Sequence, residues 1–281
     1  MMHHEMSLRP GPFEKIADGS KRYELRLNDE KRRQIGVGDT ITFTCTADER
    51  SVTVLVTELH HYDSFADLYA SLPLTACGYT AETAVTASPR DMEAYYSPEK
   101  QAHYGVLAIG VERIRLPVQQ LRGAYDVREL TTADIPEMLR IAQSNPLYYE
   151  YMGSEPSAEN LAADLTVLPP KITLADKVFF GWFEGTHLIA MMDLIAHHPK
   201  PDMAFIGWFI VDGTAQGKGL GRRLIADVMA MLKTQGFTEV RLGRIEGNPQ
   251  SEHFWHVCGF QENGLSYSTE GYRVIVMNKI I

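Results

Sequence analysis

The sequence predicts an α+β protein of two domains, a small β-barrel in front and a mixed α/β domain behind. Three observations predict it. The chain has 281 residues and is 44% hydrophobic, enough for two ordinary cores. Its patterning changes near residues 115–124: short β-branched runs dominate before this point, and helices alternate with strands after it. The changeover segment, residues 116–123 (LPVQQLRG), is punctuated by proline and glycine and is too short for a flexible tether. The expected layout is a domain over 1–115, a linker over 116–124 and a domain over 125–281.

In the first domain, residues 39–46, 51–59 and 105–114 read as strands separated by turn-rich or charged segments, with helices at 13–18 and 64–71. In the second, 125–130 is a strand. Thr131 or Thr132 then caps a helix carrying Ile135, Met138, Leu139 and Ala142 at helical spacing. Asn145-Pro146 stops it. Ser157 caps a second helix to Leu168. Strands follow at 178–183, 188–196 and 204–211, the first two joined as a hairpin by Glu184-Gly185-Thr186. Residues 220–233 form an amphipathic helix with Leu224, Ile225, Val228, Met229 and Leu232 on one face. A strand at 240–245, a helix at 249–258 and strands at 265–269 and 272–277 complete the chain.

The formal net charge is -9, which disfavours broad binding to a phosphate backbone and leaves room for a cationic substrate. Cys45, Cys77 and Cys258 are scattered and odd in number, so no disulfide framework or zinc spacing arises, and a reducing, cytoplasmic compartment is expected. His197-His198 beside Pro199 reads as a solvated turn, and no metal is expected. Residues 1–10 lack the apolar run of a signal peptide, and no stretch approaches the roughly 20 apolar residues of a membrane span.

The chemistry concentrates at residues 209–222 (FIVDGTAQGKGLGR). A strand ends at Val211, a glycine-rich turn follows, and a long helix opens behind it. First-turn amides lack internal partners and sit at the positive end of the helix dipole. Glycines let that backbone approach a ligand closely. Gln216, Gly217, Gly219 and Gly221 can therefore turn several N–H groups toward a pyrophosphate, with Lys218 and Arg222 adding charge at the rim. Neither the dinucleotide G-x-G-x-x-G spacing nor a Gly-Lys-Ser/Thr phosphate loop is present. A tight turn with close helix packing is the plain alternative.

Gln216-x-x-Gly219-x-Gly221 resembles the Q/R-x-x-G-x-G/A motif of the GNAT acetyltransferases. Residues 205–211 (FIGWFIV) resemble the strand that precedes it, and residues 248–260 (NPQSEHFWHVCGF) the family's later helix. The resemblance implies a mixed α/β fold with a splayed central sheet and acetyl-CoA as donor. It implies pantetheine pairing by Phe209 and Val211, pyrophosphate binding by the 216–221 amides, and a cofactor contact at Asn248. Asn248 also reads as a plain N-cap ahead of Pro249. Direct attack of an amine on the thioester follows, with backbone amides polarising the carbonyl.

Many members place an acidic tyrosine four residues before the Gly-Phe; Trp255 stands there, and an indole is no acid at neutral pH. Tyr267 and Cys258 are substitutes to weigh. For the base, Glu246 ends the 240–245 strand, and Asp193 interrupts an apolar stretch where a charge needs a partner or a function. Tyr148, Tyr149 and Glu150 fall where the family forms its acceptor wall, and aromatics with a carboxylate suit a cationic amine.

In the first domain, residues 19–26 (GSKRYELR) put Lys21, Tyr23 and Leu25 on one side and Arg22, Glu24 and Arg26 on the other, if extended. The stretch resembles the G-x-K-x-x-E-x-R signature of ASCH domains, small barrels related to the PUA fold. That implies an RNA or nucleotide pocket at Lys21, Glu24 and Arg26. Some small ASCH members hydrolyse N4-acetylcytidine, but Glu24 stands where those enzymes have threonine. Together the resemblances imply an N-acetyltransferase for a small amine or nucleoside-type acceptor. The alternative is a non-catalytic protein that senses acetyl-CoA and binds nucleotide or RNA.

Overall fold

The computed structural model describes residues 2–121, 123–269 and 271–281; Arg122, inside the expected linker, lies outside them. The chain divides into two compact units, one of residues 1–115 with 169–175, the other of 116–168 with 176–281.

The first unit is built on a five-stranded sheet. Its strands are β1 (His3–Leu8), β2 (Tyr23–Leu27), β3 (Thr40–Cys45), β4 (Ser51–Tyr62) and β5 (Val106–Arg113), in the order β1-β3-β4-β5-β2. The seam of the expected barrel lies between β1 and β2. Arg26 spans it, its Nη2 donating to the Ser7 carbonyl at 3.0 Å. The strand β1 was not expected, because His3, His4 and Glu5 hide its alternation; Met6 and Leu8 are its buried positions. The helices are α1 (Pro10–Ala17), α2 (Phe65–Ser71), α3 (Ala81–Thr86) and α4 (Pro98–Tyr104). Phe13 and Ile16 of α1 fill one side of the sheet with Ile41, Phe43 and Val54. Phe65 and Leu68 of α2 pack on the other side with Leu25, Leu27 and Val106, ringed by tyrosines.

The second unit holds β6 (Asp126–Glu129), β7 (Lys177–Glu184), β8 (His187–Ile195), β9 (Met203–Val211), β10 (Glu239–Ile245), β11 (Gln261–Ser268) and β12 (Arg273–Ile280). They form a seven-stranded sheet in the order β11-β12-β10-β9-β8-β7-β6. Only β9 and β10 run parallel, and α8 (Leu220–Thr234) makes the crossover that such a pair requires. Leu224, Ile225, Val228 and Leu232 of α8 are buried with Phe180, Trp182, Met192 and Leu242 on one face of the sheet. On the other face α5 (Ile135–Gln143) and α7 (Ala158–Asp164) contribute Met138, Ile141 and Leu161 to a core with Phe179, Met191 and Ile210.

Two expectations change. Residues 116–121, expected as part of a short linker, belong to the second unit, with Leu116, Val118 and Leu121 buried in its larger core. Asn145-Pro146 ends α5 as expected, but Pro146 also opens α6 (Pro146–Met152), so Tyr148 to Tyr151 are helical. A proline at the first position of a helix loses no needed N–H. The last helix, α9 (Pro249–Val257), starts at Asn248, whose Oδ1 accepts from the Ser251 amide at 3.0 Å.

Candidate active site

A one-residue slip in strand pairing organises the site. Asp193 of β8 faces Trp208 of β9, but the next residue, Leu194, faces Ile206, so Gly207 is the extra residue of a β-bulge. Bulges bend a strand and raise its twist. The parallel pairing of β9 with β10 stops at Ile206, directly before the bulge, while β9 runs on to Val211 and β10 to Ile245. The sheet opens from there. The amide of Asp212 donates to Ile189 of β8 at 2.8 Å, so by alternation Phe209 and Val211 turn their backbone groups to the edge that β10 has left.

Beyond Val211, residues 213–215 form one 3-10 turn, Gly217 and Gly219 take φ +74, and α8 begins. A Cβ on either glycine would meet open space, so the positive φ, rather than crowding, demands glycine. The Arg223 amide bonds the Gly219 carbonyl at 3.2 Å, which leaves the amides ahead of it without intrahelical partners. Gly221 is tight instead: a Cβ there would come within 3.0 Å of Phe254 on α9. Lys218 and Arg222 are exposed. Open glycines, free first-turn amides and two cations fit a pyrophosphate.

The loop is held from outside itself, by residues the sequence did not single out. Asn145 donates to the carbonyls of Ile141 (2.9 Å) and Val211 (3.0 Å), and its own oxygen accepts from Gln216 Nε2 at 2.6 Å. Gln216 also donates to Val211 at 3.0 Å and accepts from Gln250 of α9 at 2.9 Å. Gln216 thus spends its side chain inside the protein, leaving only its backbone for a ligand. Ser144 Oγ accepts from the Gly213 amide at 2.9 Å. Arg140 clamps buried Asp212 and donates to the Leu188 carbonyl at 2.6 Å. Burial alone would raise the Asp212 carboxyl pKa, but bonds from Thr214 and Arg140 prevail and lower it. No sequence motif flags Asn145, because it was legible only as a helix stop.

The candidate acid–base groups differ sharply. Glu246 sits half-exposed at the end of β10, with Arg273 Nη1 3.8 Å away. The neighbouring Gly247 lies beside Tyr151, a Cβ on it falling 3.6 Å from that ring. Asp193 is buried and ion-paired with Lys177 at 2.8 Å; burial raises its pKa and Lys177 opposes the rise. Trp255 is buried among Phe209, Phe254 and Phe260. Burial pushes the Cys258 thiol up to about 11 and raises the exposed Tyr267 as well, with Tyr272 adding to it. On α6, Tyr149 is buried and Glu150 exposed; both line a cleft of about 550 Å³ with Gln143, Ser154 and Glu155. Tyr148 stacks on Trp208 at 6.0 Å.

In the first unit, Lys21 precedes β2 rather than lying on one of its faces. Its ammonium turns to Glu24 at 2.7 Å, and Arg26 Nε meets the other oxygen of Glu24 at 2.8 Å. The expected separation of Lys21 from Glu24 across a strand therefore fails, because the strand starts only at Tyr23. Among the described residues, Glu252, His256 and Glu262 could together reach one ion, but Arg244 reaches Glu262 at 2.5 Å and Glu252 at 3.5 Å there. No helix among the described residues is long and apolar enough to cross a membrane.

Comparison with known proteins finds two family matches. Residues 141–260 match the acetyltransferase (GNAT) family, and residues 6–115 match the ASCH domain. Similar solved structures include an acetyltransferase from Thermus thermophilus, 22% identical over 56% of this chain and 97% of that one, with a TM-score of 0.46. A paia N-acetyltransferase from Thermoplasma acidophilum in complex with coenzyme A is 18% identical over 56% and 99%, with a TM-score of 0.42. The ribosomal-protein-S18-alanine N-acetyltransferase of Escherichia coli is 20% identical over 56% and 94%, with a TM-score of 0.41. No curated protein matches the chain. The chain thus carries an ASCH domain followed by an acetyltransferase domain of the GNAT family, whose acyl donor is acetyl-CoA.

Proposed function

We propose that the chain transfers an acetyl group from acetyl-CoA directly to a primary amine. The observation that carries this reading is the Gly207 bulge, which parts β9 from β10 just before the glycine loop that opens α8. Acetyl-CoA would supply the thioester. The amides of residues 216–221, with Lys218 and Arg222, would hold its pyrophosphate, and the Phe209 backbone with the Val211 amide would pair with the pantetheine along the opened edge, the Val211 carbonyl being taken by Asn145 and Gln216. Asn248 keeps its amide nitrogen for the cofactor, since only its oxygen serves the cap of α9.

An ammonium must lose a proton before its lone pair can form the N–C bond while the C–S bond breaks. Glu246 suits this role, because it stands at the open end of β10 and is in contact with water. Asp193, the other candidate, is buried and its charge is already met by Lys177, so Glu246 is preferred. The proton on the departing thiol comes from solvent or Tyr267, because Trp255 is committed to the core. Tyr148, Tyr149 and Glu150 would wall the acceptor side.

The test pairs calorimetric titration of acetyl-CoA with thiol release across a panel of amines. Binding with turnover supports the reading, and binding with no turnover on any amine favours an acetyl-CoA sensor. For the ASCH domain we propose a nucleotide or RNA pocket at Lys21, Glu24 and Arg26, whose buried cluster presents two cations around one carboxylate. Titration of the full chain with a ribonucleotide panel, repeated on Lys21→Ala, checks it; equal inertness of both removes it.

A further inference from the structure

Glu137 and Arg140 of α5, with Ser144 at its C-cap, stand at i, i+3 and i+7, one face of a helix. They meet the place where β9 leaves the sheet. Ala190 of β8 faces Val211, the last residue of β9, and the Asp212 amide still donates to the Ile189 carbonyl at 2.8 Å. One step further, the same register would set Gly213 opposite Leu188. Gly213 has turned away instead: it opens the 3-10 turn, and its amide donates to Ser144 Oγ at 2.9 Å. A Cβ on Gly213 would stand 2.5 Å from the Ser144 carbonyl oxygen, so glycine lets the loop root come this close to α5.

Leu188 loses its strand partner but not its hydrogen bonds. Its amide donates to Glu137 Oε2 at 3.1 Å, and its carbonyl accepts from Arg140 Nη2 at 2.6 Å. The glutamate and the arginine, bonded to each other at 3.0 Å, supply the acceptor and the donor that a continued β9 would have supplied. Arg140 Nη1 also clamps Asp212, whose side chain is 1% exposed. The other oxygen of Asp212 accepts from the Thr214 amide at 2.8 Å and the Thr214 hydroxyl at 2.6 Å. A planar guanidinium can serve the Leu188 carbonyl, Asp212 and Glu137 at once, which a lysine cannot.

The end of a strand is ordinarily free to fray, because its last ladder bonds exchange with water. Here side chains of α5 fix the exit point on Leu188, Asp212 and Gly213, all ahead of Gly217 and Gly219. A loop held in its binding conformation before the ligand arrives loses less freedom on binding. Resting on the reading that this loop binds acetyl-CoA, we propose that Glu137 and Arg140 are positioning residues for the cofactor. They stand in for the missing stretch of β9 beside Leu188 and so set where the chain departs to form the pyrophosphate loop.

Calorimetric titration of acetyl-CoA into the full chain and its variants, with hydrogen exchange of the amides of residues 212–221, tests this. Arg140→Met and Glu137→Ala should each weaken acetyl-CoA binding about tenfold, the fall expected if the competent loop drops to about a tenth of the population. In both, the 212–221 amides should exchange faster while those of β12 keep their protection. Glu137→Gln keeps an oxygen acceptor for the Leu188 amide and should hold affinity within about twofold of wild type. Arg140→Met leaves Asp212 buried without its cation. The second variant, Arg140→Met with Asp212→Asn, removes that charge and keeps the oxygen that caps Thr214. It should stay about tenfold weak, because the Leu188 carbonyl is still unmet. Wild-type affinity in the double variant, or equal weakening in Glu137→Gln and Glu137→Ala, overturns the proposal and leaves the cofactor site standing. No acetyl-CoA binding by the wild-type chain removes the cofactor reading and this proposal with it.

Discussion

At the scale of single residues, Asn145 ties the glycine loop to its neighbours. It joins the end of α5, the last carbonyl of β9 and the Gln216 side chain. Asn145→Ala would remove one of the two bonds to the Val211 carbonyl and one of the bonds made by Gln216, while the Gln216–Val211 bond remains, at about 0.5–1.5 kcal/mol per bond lost. The expected outcome is acetyl-CoA binding weakened about tenfold by calorimetry, with kcat at saturation nearly unchanged. Glu246→Gln acts on the other parameter. A general base contributes 10²–10⁴-fold, and at a solvated position the lower end applies, so kcat should fall by about 100-fold. An unchanged kcat in that variant would assign the proton to another group. Asp39 belongs to the first unit. Hydrogen bonds from the Met2 amide, His4 and the Gly36 amide hold its pKa down at about 2, below the ordinary value of 3.8. A depressed carboxyl pKa stabilises the fold above the unfolded value, and this stabilisation is lost as pH falls toward 2. Acid denaturation followed by circular dichroism should therefore show a steep loss between about pH 4 and pH 2 that Asp39→Asn lacks.

At the scale of elements, the bulge in β9 decides where the sheet opens. Gly207→Ala would drive a methyl group into the Asp193 carboxylate, 2.4 Å away. Either the carboxylate or the strand must shift, at about 1–3 kcal/mol, readable as a lower denaturation midpoint. Sequence reading located β9 and α8 to within a residue, because a continuous apolar run and an i, i+3, i+4 face are strong signals. It could not locate the bulge. A register slip depends on the partner strand, and nothing local marks Gly207 as an extra residue rather than a small one. The helix α6 was not expected. Asn145-Pro146 was legible as a stop, although a proline at the first helical position also marks a start. Loss of the cap of α9 is a simpler matter. Asn248→Ala should cost about 1 kcal/mol in a denaturation curve, and Asn248→Asp should restore it.

At the scale of the molecule, two units with separate cores share one chain, and residues 169–175 belong to the first although they lie within the second half of the sequence. Ile172 and Thr173 are buried there, and Ser51 donates to the Lys171 carbonyl at 2.9 Å. A chain lacking residues 1–115 should therefore expose 169–175, and limited proteolysis should cut it there first while the full chain resists. Equal resistance of both forms would show that the segment needs no partner from the first unit. The sequence by itself determined the two-domain layout, the strand–glycine loop–helix unit at 209–222 and the identity of the charged groups Lys21, Glu24, Arg26, Asp193 and Glu246. These rest on local pattern and residue type. Only the tertiary structure decided what those groups do: that Lys21 turns to Glu24, that Gln216 is consumed by Asn145, and that Asp193 is paired with Lys177. The physical reason is that a polar side chain's role follows from its burial and its partners. Those partners arrive from strands and helices tens of residues away, which no local pattern records.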